Sequence, residues 1–490
     1  MRLEIIVSLG QMLEESCRQY GENVAIIHDD ISLTYNELNR AANAIGNRLR
    51  SSGLKKGDKV ALLLSNCPEF IISYFAVQKI GAVAVTLNIM STAYELRYLL
   101  GNSEAKVLIT EASLTKRFEE ISGDVPLCRR LLVTNGLDTT SPFGDIIEEG
   151  PFTLDMPEIA GDDHAVMIYT AGLTGRPLGA ILTHRNLLGQ SNIIRDLCGG
   201  TEKDRALSVI PFFHSFGAVA NMLGTVRIGA GMVLMDRFSV DNIFSAIERD
   251  KVTYIASVPQ VFLGMLLQEE GKRYDLSSLR LCITGGAAMP AEFIPPFEKR
   301  FGVKVLEGYG LTEASPVCTF SRPDMAQKPG SIGVVIPGVE AKIVDDYGKK
   351  VPAGESGELI IKGENMMKGY YRDEEATAMV IRDGWLYTSD LAKIDEDGYI
   401  FLTGRKKRMI ITWGFNVYPR EVEIVLEMHP AVKSSRVVGM SDLMRGEVVK
   451  ALIVKNKGAD TDKKSIIRHC RKYLSLYKVP RKVEFVENLN

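Results

Sequence analysis

The chain has 490 residues, with 59 Lys and Arg against 61 Asp and Glu and a formal charge of -2. At roughly 150 residues per domain this length exceeds a single small binding module and buries several cores without disulfide or metal staples. The near-neutral balance removes the electrostatic case for a nucleic-acid binder or a polybasic membrane anchor.

Gly is in excess at 44 residues while Pro is ordinary at 19, which predicts backbone-shaped loops without disorder. Cys17, Cys67, Cys128, Cys198, Cys282, Cys318 and Cys470 are scattered, with no C-x-x-C pair, as reduced thiols of a cytoplasmic protein would be. The start, Met1 to Val7, carries an early acid and no long apolar run. No stretch reaches about 18 apolar residues, so neither a signal peptide nor a membrane span is expected. The nearest candidate, Ile71 to Met90, is interrupted by Ser73, Gln78, Lys79 and Asn88 and reads as a buried helix running into a strand.

Taken in chain order, Lys59 to Leu64 reads as a strand, Pro68 to Ile80 as a helix, Ala82 to Val85 as a strand, Ala93 to Asn102 as a helix and Val107 to Ile109 as a strand. This βαβαβ rhythm predicts a parallel sheet with packed helices. The segment Gly123 to Asp155 reads as loop. Alternation resumes through Ala206 to Ile210, Asn242 to Asp250, Tyr254 to Ala256 and Leu281 to Thr284. Beyond about Gly330 short strands and turns take over, with Gly338, Asp345 to Gly348 and Asp395 to Gly398 marking hairpins of a β-rich subdomain. A basic run, Arg405 to Arg408, precedes fresh α/β alternation to Asn490. The predicted fold is therefore α/β: a large unit, residues 1–404, of parallel and mixed sheets with helices and a β-rich subdomain, then a small mobile α+β unit, residues 405–490.

Three stretches carry chemistry. Tyr169-Thr170-Ala171-Gly172-Leu173-Thr174-Gly175-Arg176-Pro177-Leu178-Gly179 follows a strand and precedes the helix start Thr183-His184-Arg185-Asn186. Glycines beside hydroxyls suit a loop that presents donors to phosphate oxygens, although the P-loop spacing is absent. In Glu307-Gly308-Tyr309-Gly310-Leu311-Thr312-Glu313 an aromatic fit to lie on a purine precedes a hydroxyl for phosphate and a carboxylate for Mg²⁺. Asp390 follows the strand-like Trp385 to Ser389, placed to take ribose hydroxyls, and Arg405 offers a guanidinium to ribose or phosphate.

Together with Leu33 to Leu38, Pro211-Phe212-Phe213-His214-Ser215-Phe216-Gly217, Gly285-Gly286-Ala287-Ala288-Met289-Pro290 and Gly414 to Glu423, these stretches resemble, in order and along essentially the whole chain, the adenylate-forming superfamily of acyl-CoA synthetases, luciferases and nonribosomal-peptide adenylation domains. The resemblance implies ATP, Mg²⁺ and CoA as cofactors, and a two-step reaction. A carboxylate and MgATP give acyl-adenylate and pyrophosphate, and a thiol then displaces AMP; the protein's task is to hold phosphates, metal and carboxylate in line. It further implies that Thr170 and Thr174 serve the phosphates, Thr312 the α-phosphate and Glu313 the metal. Tyr309 and Gly310 would lie against adenine with Ala287 and Ala288, and Asp390 and Arg405 would hold ribose. His214, Phe212, Phe216, Val258, Gly285 and Gly286 would form the acyl pocket, Gly414 would follow the pantetheine arm, and Lys407 would be the hinge. The expected partners are a small-molecule carboxylate and CoA, with no nucleic acid; contact with a membrane surface and self-association stay open.

Two departures from the family's pattern stand out. Leu178 replaces the Lys usual in the phosphate loop, and Ala171 and Leu173 replace hydroxyl residues. The sequence also reaches Asn490 before the Pro-x-x-x-Thr-Gly-Lys segment whose Lys bridges carboxylate and phosphate. The resulting expectation is a CoA ligase for a fatty or aromatic acid in which adenylation is weak and reaction of a supplied acyl-adenylate with CoA survives. Ser215 to Ala220 holds no acid to pair an ammonium, which disfavours amino-acid substrates. The alternatives are transfer to a carrier protein and a degraded member that senses acyl-CoA or AMP.

Overall fold

The computed structural model describes residues 6–137, 141–171, 175–235, 238–268, 274–406 and 409–489. Lys407 and Thr174, the expected hinge and one of the expected phosphate-loop residues, lie outside them.

The predicted βαβαβ rhythm is realised by strands Lys59–Leu63, Val83–Thr86 and Ala105–Glu111, linked by helices Pro68–Lys79 and Ala93–Ser103. They belong to a seven-stranded sheet ordered Gly369–Tyr370, Pro177–Thr183, His164–Ala171, Val83–Thr86, Lys59–Leu63, Ala105–Glu111, Arg130–Thr134. The segment read as loop contributes that last strand and the helix Pro142–Glu149. The strand is short and half-exposed, so its apolar pattern is weak, and pairing in parallel with Ala105–Glu111 defines it.

A second sheet has nine strands, with a parallel centre of Leu281–Thr284, Tyr254–Ser257, Arg205–Ser208 and Gly231–Leu234. Lys304–Gly310 joins it in parallel beside Leu281–Thr284, then pairs antiparallel with Val317–Phe320 on its other side. Helices Tyr35–Ser51 and Pro68–Lys79 share one core with residues of both sheets, among them Ile26, Met232, Val60 and Val166. Every residue of Pro68–Lys79 is buried, as a helix that is apolar nearly all round requires. The Leu33 to Leu38 motif is a helix start: Thr34 and Glu37 form a reciprocal capping box on Tyr35–Ser51.

The predicted β-rich subdomain is a five-stranded sheet of Val339–Val344, Gly357–Gly363, Trp385–Ile394, Ile381–Arg382 and Ile400–Arg405. A separate core, running from Ile410 to Val483, belongs to the last part of the chain. There strands Gly446–Lys455 and Val432–Asp442 pair over helices Pro419–Glu427 and Lys463–Tyr473. No described helix is long and apolar enough to cross a membrane.

Candidate active site

The site lies beyond the carboxyl ends of Leu281–Thr284 and Lys304–Gly310, where parallel strands open a crevice for ligands. Two glycines make the approach close. A Cβ on Gly310 would fall 1.8 Å from the Pro316 carbonyl oxygen, and one on Gly285 would meet the Gly308 carbonyl at 3.0 Å and the Phe216 ring at 3.5 Å. Gly310 thereby admits the turn in which the Leu311 N–H donates to the Pro316 carbonyl at 3.0 Å, folding Thr312 and Glu313 back over the strand end.

The crevice opens on a cavity of about 360 Å³ lined by Thr170, His214, Thr312, Glu313, Asp390 and Arg405. Ala287, Ala288, Tyr309, Gly310, Phe216, Gly285, Gly286 and Gly414 also reach this wall. Three sheets and the small unit therefore converge on one space. Thr170 donates to Glu313 Oε1 at 3.0 Å, and Tyr370 donates to the same oxygen at 2.8 Å. No described side chain engages Glu313 Oε2. The Thr312 hydroxyl lies 3.2 Å from that of Ser215. The Tyr309 hydroxyl donates to Asp390 Oδ2 at 2.6 Å, and Arg405 Nε meets Asp390 Oδ1 at 2.8 Å. Burial and the neighbouring carboxylate push the Tyr309 phenol well up, so it stays a donor. Each Asp390 oxygen keeps a second lone pair for a further hydroxyl.

His214 accepts the Phe216 N–H on Nδ1 at 3.2 Å, which places its proton on Nε2. Burial lowers its pKa to about 4, so the ring is neutral at physiological pH. Among the described residues no group of three His, Cys, Asp or Glu side chains gathers into a metal cage. Glu313, with one oxygen steadied by two donors and the other free of described partners, fits a Mg²⁺ ion that takes most of its ligands from nucleotide phosphates and water.

Two expected acyl-pocket residues stand elsewhere. Phe212 is fully buried, with its ring 5.6 Å from that of Phe70 and its N–H donated to Asn66, so it packs the core between the sheets. Its neighbour in the motif, His214, takes the cavity position because the chain turns at Pro211 to His214. Val258 is 7% exposed and stands behind the wall, where its Cγ1 would meet a Cβ on Gly414 at 2.5 Å and one on Gly286 at 3.5 Å.

The structure adds residues that the motifs did not single out. Tyr370 reaches Glu313 only because Gly369–Tyr370 pairs with Ala180 and Ile181, a tertiary event with no local signal. Ser215 lies inside the quoted Pro211 to Gly217 motif, and a hydroxyl beside His214 was the available clue. Glu307 lines the cavity, 8% exposed, with no hydrogen-bond partner on its carboxyl among the described residues, and burial pushes its pKa up to about 7.

Family models for the AMP-binding enzyme and its C-terminal domain match residues 13–371 and 421–490. The chain belongs to the AMP-binding enzyme family. It is 36% identical to a long-chain-fatty-acid–CoA ligase of Bacillus subtilis (strain 168), over 98% of this chain and 91% of that one. It is also 36% identical to a feruloyl-CoA synthase of an Amycolatopsis species, over 98% and 95%. Among solved structures, a double mutant of o-succinylbenzoate CoA synthetase from Bacillus subtilis, bound with a CoA product analogue, superimposes with a TM-score of 0.88 at 29% identity over 98% and 95% of the two chains. An anthranilate CoA ligase in complex with anthranoyl-AMP gives 0.78 at 31% identity over 99% and 95%. The AMP-binding enzyme described here is thus one of the acyl- and aryl-CoA ligases, a group that uses ATP and CoA, and its fold is theirs.

Two outcomes follow from this geometry. Phe212→Ala lowers stability by about 3–5 kcal/mol in urea unfolding and leaves the ranking of acyl substrates unchanged, since the ring faces the core. For Glu307, the folded pKa lies above the unfolded one, so the acid's contribution to stability is present at low pH and lost as pH rises through about 7. Glu307→Gln removes that loss: its stability relative to the parent grows between about pH 4.5 and 7 and levels above, by on the order of 3 kcal/mol, read from melting curves across pH.

Proposed function

We propose that this enzyme joins a fatty or aromatic carboxylic acid to CoA through an acyl-adenylate. The observation that carries the reading is the composition of one cavity. Its polar side holds Thr312, Glu313, Asp390 and Arg405, while Ile193, Ile194, Phe216 and Val219 line it as well. A mixed anhydride of an apolar acid and AMP has that division.

In this reading Asp390 and Arg405 hold the ribose, Tyr309 lies against adenine beside Ala287 and Ala288, and Thr312 donates to the α-phosphate. Mg²⁺ supplies charge neutralisation on the phosphates when bound at Glu313. The neutral His214 closes the acyl side at Nε2, and Gly414 leaves room for the pantetheine arm. The small unit begins near residue 405. The better superposition on a relative holding a CoA product analogue than on one holding an acyl-adenylate supports taking the present arrangement as that of the thiol step.

Leu178 gives the reading its quantitative edge. It pairs across the hairpin with Thr170 and lines the same cavity, so an apolar side chain faces the space assigned to phosphates. Loss of one preorganised donor to developing charge costs about 10²–10³ in rate. Adenylation is therefore the slow half-reaction.

The test supplies acids of both classes with ATP and CoA, and in parallel their preformed adenylates with CoA, and measures thioester by mass spectrometry. Thioester from at least one class, formed much faster from the adenylate, is expected. Failure of every adenylate to yield thioester would remove the assignment. Leu178→Lys should raise carboxylate-dependent ATP–pyrophosphate exchange by about 10²-fold while leaving the adenylate-to-thioester rate within a factor of about two; an unchanged exchange rate would show that Leu178 does not limit adenylation.

A further inference from the structure

The strongest unexplained feature outside the 360 Å³ cavity is an ion triad where the small unit meets the large one, on the wall of a second cavity of about 900 Å³ that meets the first at Thr170, His214, Thr312 and Asn416. Lys478, 8% exposed, places Nζ 2.9 Å from Glu95 Oε1 and 2.5 Å from Glu421 Oε1. Glu95 belongs to the large unit, at the third position of helix Ala93–Ser103, whereas Lys478 and Glu421 both belong to the small one. The second Glu95 oxygen accepts the Ser475 hydroxyl at 2.7 Å, and the Thr92 hydroxyl donates to the Tyr473 carbonyl at 3.1 Å.

A triad of two acids and one base is a poor device for stability alone, because desolvation of buried charges offsets much of their attraction. Glu421 Oε2 has no hydrogen-bond partner among the described residues, and burial pushes this carboxyl up despite Lys478. The arrangement has another property: it can part where Glu95 meets Lys478 and Ser475, and Thr92 meets Tyr473, without leaving the Lys478 charge unpaired. If Glu95 lets go, Lys478 keeps Glu421 inside the small unit, and Glu95 keeps its capping bond from the Thr92 N–H.

The contact also leads to the site. Tyr477, next to Lys478, packs on Phe415 at 4.9 Å between ring centroids, and Phe415 stacks on Phe213 of the large unit at 6.3 Å. Gly414 and Asn416, on either side of Phe415, line the 360 Å³ cavity. Thr312, Asp390 and Tyr309, the groups facing a nucleotide, all belong to the large unit, and Tyr309 and Asp390 bond to each other and to Arg405 without using this chain of contacts.

We propose that Glu95 and Lys478 are positioning residues for thioester formation: their pairing seats Tyr477 and Phe415 so that Gly414 and Asn416 stand in the cavity wall where the thiol arrives. The inference rests on the CoA-ligase reading given above, and it names the contact that fixes the geometry of the second half-reaction. Displacing a positioned element by about 1 Å is enough to cost about 10²-fold.

The experiment uses the whole protein with Glu95→Gln, which keeps a side chain fit for the capping box, with Lys478→Met, and with both. Thioester formation from a preformed acyl-adenylate and CoA is followed in single turnovers, beside the affinity for a non-hydrolysable adenylate analogue. The expected result is a rate reduced about 10²-fold by either change, no further reduction in the double variant, and analogue affinity within a factor of about two. A Glu95→Gln rate within about twofold of the parent, or multiplicative losses in the double variant, would overturn the proposal. Hydrogen exchange gives an answer that does not depend on turnover. Glu95→Gln should speed exchange of backbone amides at residues 412–417 and leave residues 304–313 unchanged, and equal protection in both segments would again overturn it. Absence of thioester from the parent protein itself would strike the functional reading, and the exchange result would still decide the pairing.

Discussion

The site depends on the Asp390 carboxylate. One oxygen takes the Tyr309 hydroxyl from the end of the nine-stranded sheet, and the other takes the Arg405 guanidinium from the neighbouring strand of its own sheet. Asp390 is 9% exposed and Tyr309 8%, so the bond between them acts in surroundings that water screens weakly, while Arg405 reaches the carboxylate from the solvent side. This joins the β-rich subdomain to the strand ends that carry Thr312 and Glu313. A local kink presents the carboxylate: Ser389 adopts a φ of 63°, and its N–H is held by Glu358 at 2.9 Å. Lys406 ties to the same Glu358 at 3.0 Å, so the segment leading out of the large unit starts from a fixed point.

The fold was legible where patterning is strong. Leu281–Thr284 was readable to the residue because a short β-rich run ends at Gly285 and Gly286, and the start of helix Pro68–Lys79, read as reaching Ile80, because proline opens it. Arg130–Thr134 was not, since an edge strand with half-exposed residues has no pattern until it finds a partner. In the site, most of the residues that local motifs named do line the cavity, because a phosphate loop and a strand-end turn each need particular residues at fixed spacing. The motifs failed for Phe212, because an apolar side chain in a motif suits a core as well as an acyl pocket, and only the packing on Phe70 decides between them. They also failed for Tyr370, brought to Glu313 by a pairing across nearly 200 residues of chain.

The same physics separates two kinds of buried charge in this molecule. Lys79 is fully buried and gives its ammonium to Asn39 and Asn43 at 2.5 Å each and to Glu14. All these partners lie within the large unit, so the network has one state and specifies packing. Lys478 has partners on both sides of a boundary, and its ammonium keeps a carboxylate with or without Glu95. A chemistry that first needs a nucleotide and then a thiol at one cavity gains from such a boundary, because the large unit can keep its ligand while the wall supplied by Gly414 and Asn416 is set separately.

The most direct measurement is a crystal structure with a non-hydrolysable acyl-adenylate carrying a medium-length chain. The ribose should lie within hydrogen-bond distance of Asp390 and the phosphate isostere beside Thr312, with the chain passing Gly285 toward Ile193 and Val219. A ligand bound elsewhere, or bound with its chain in solvent and Asp390 still held only by Tyr309 and Arg405, would contradict this placement.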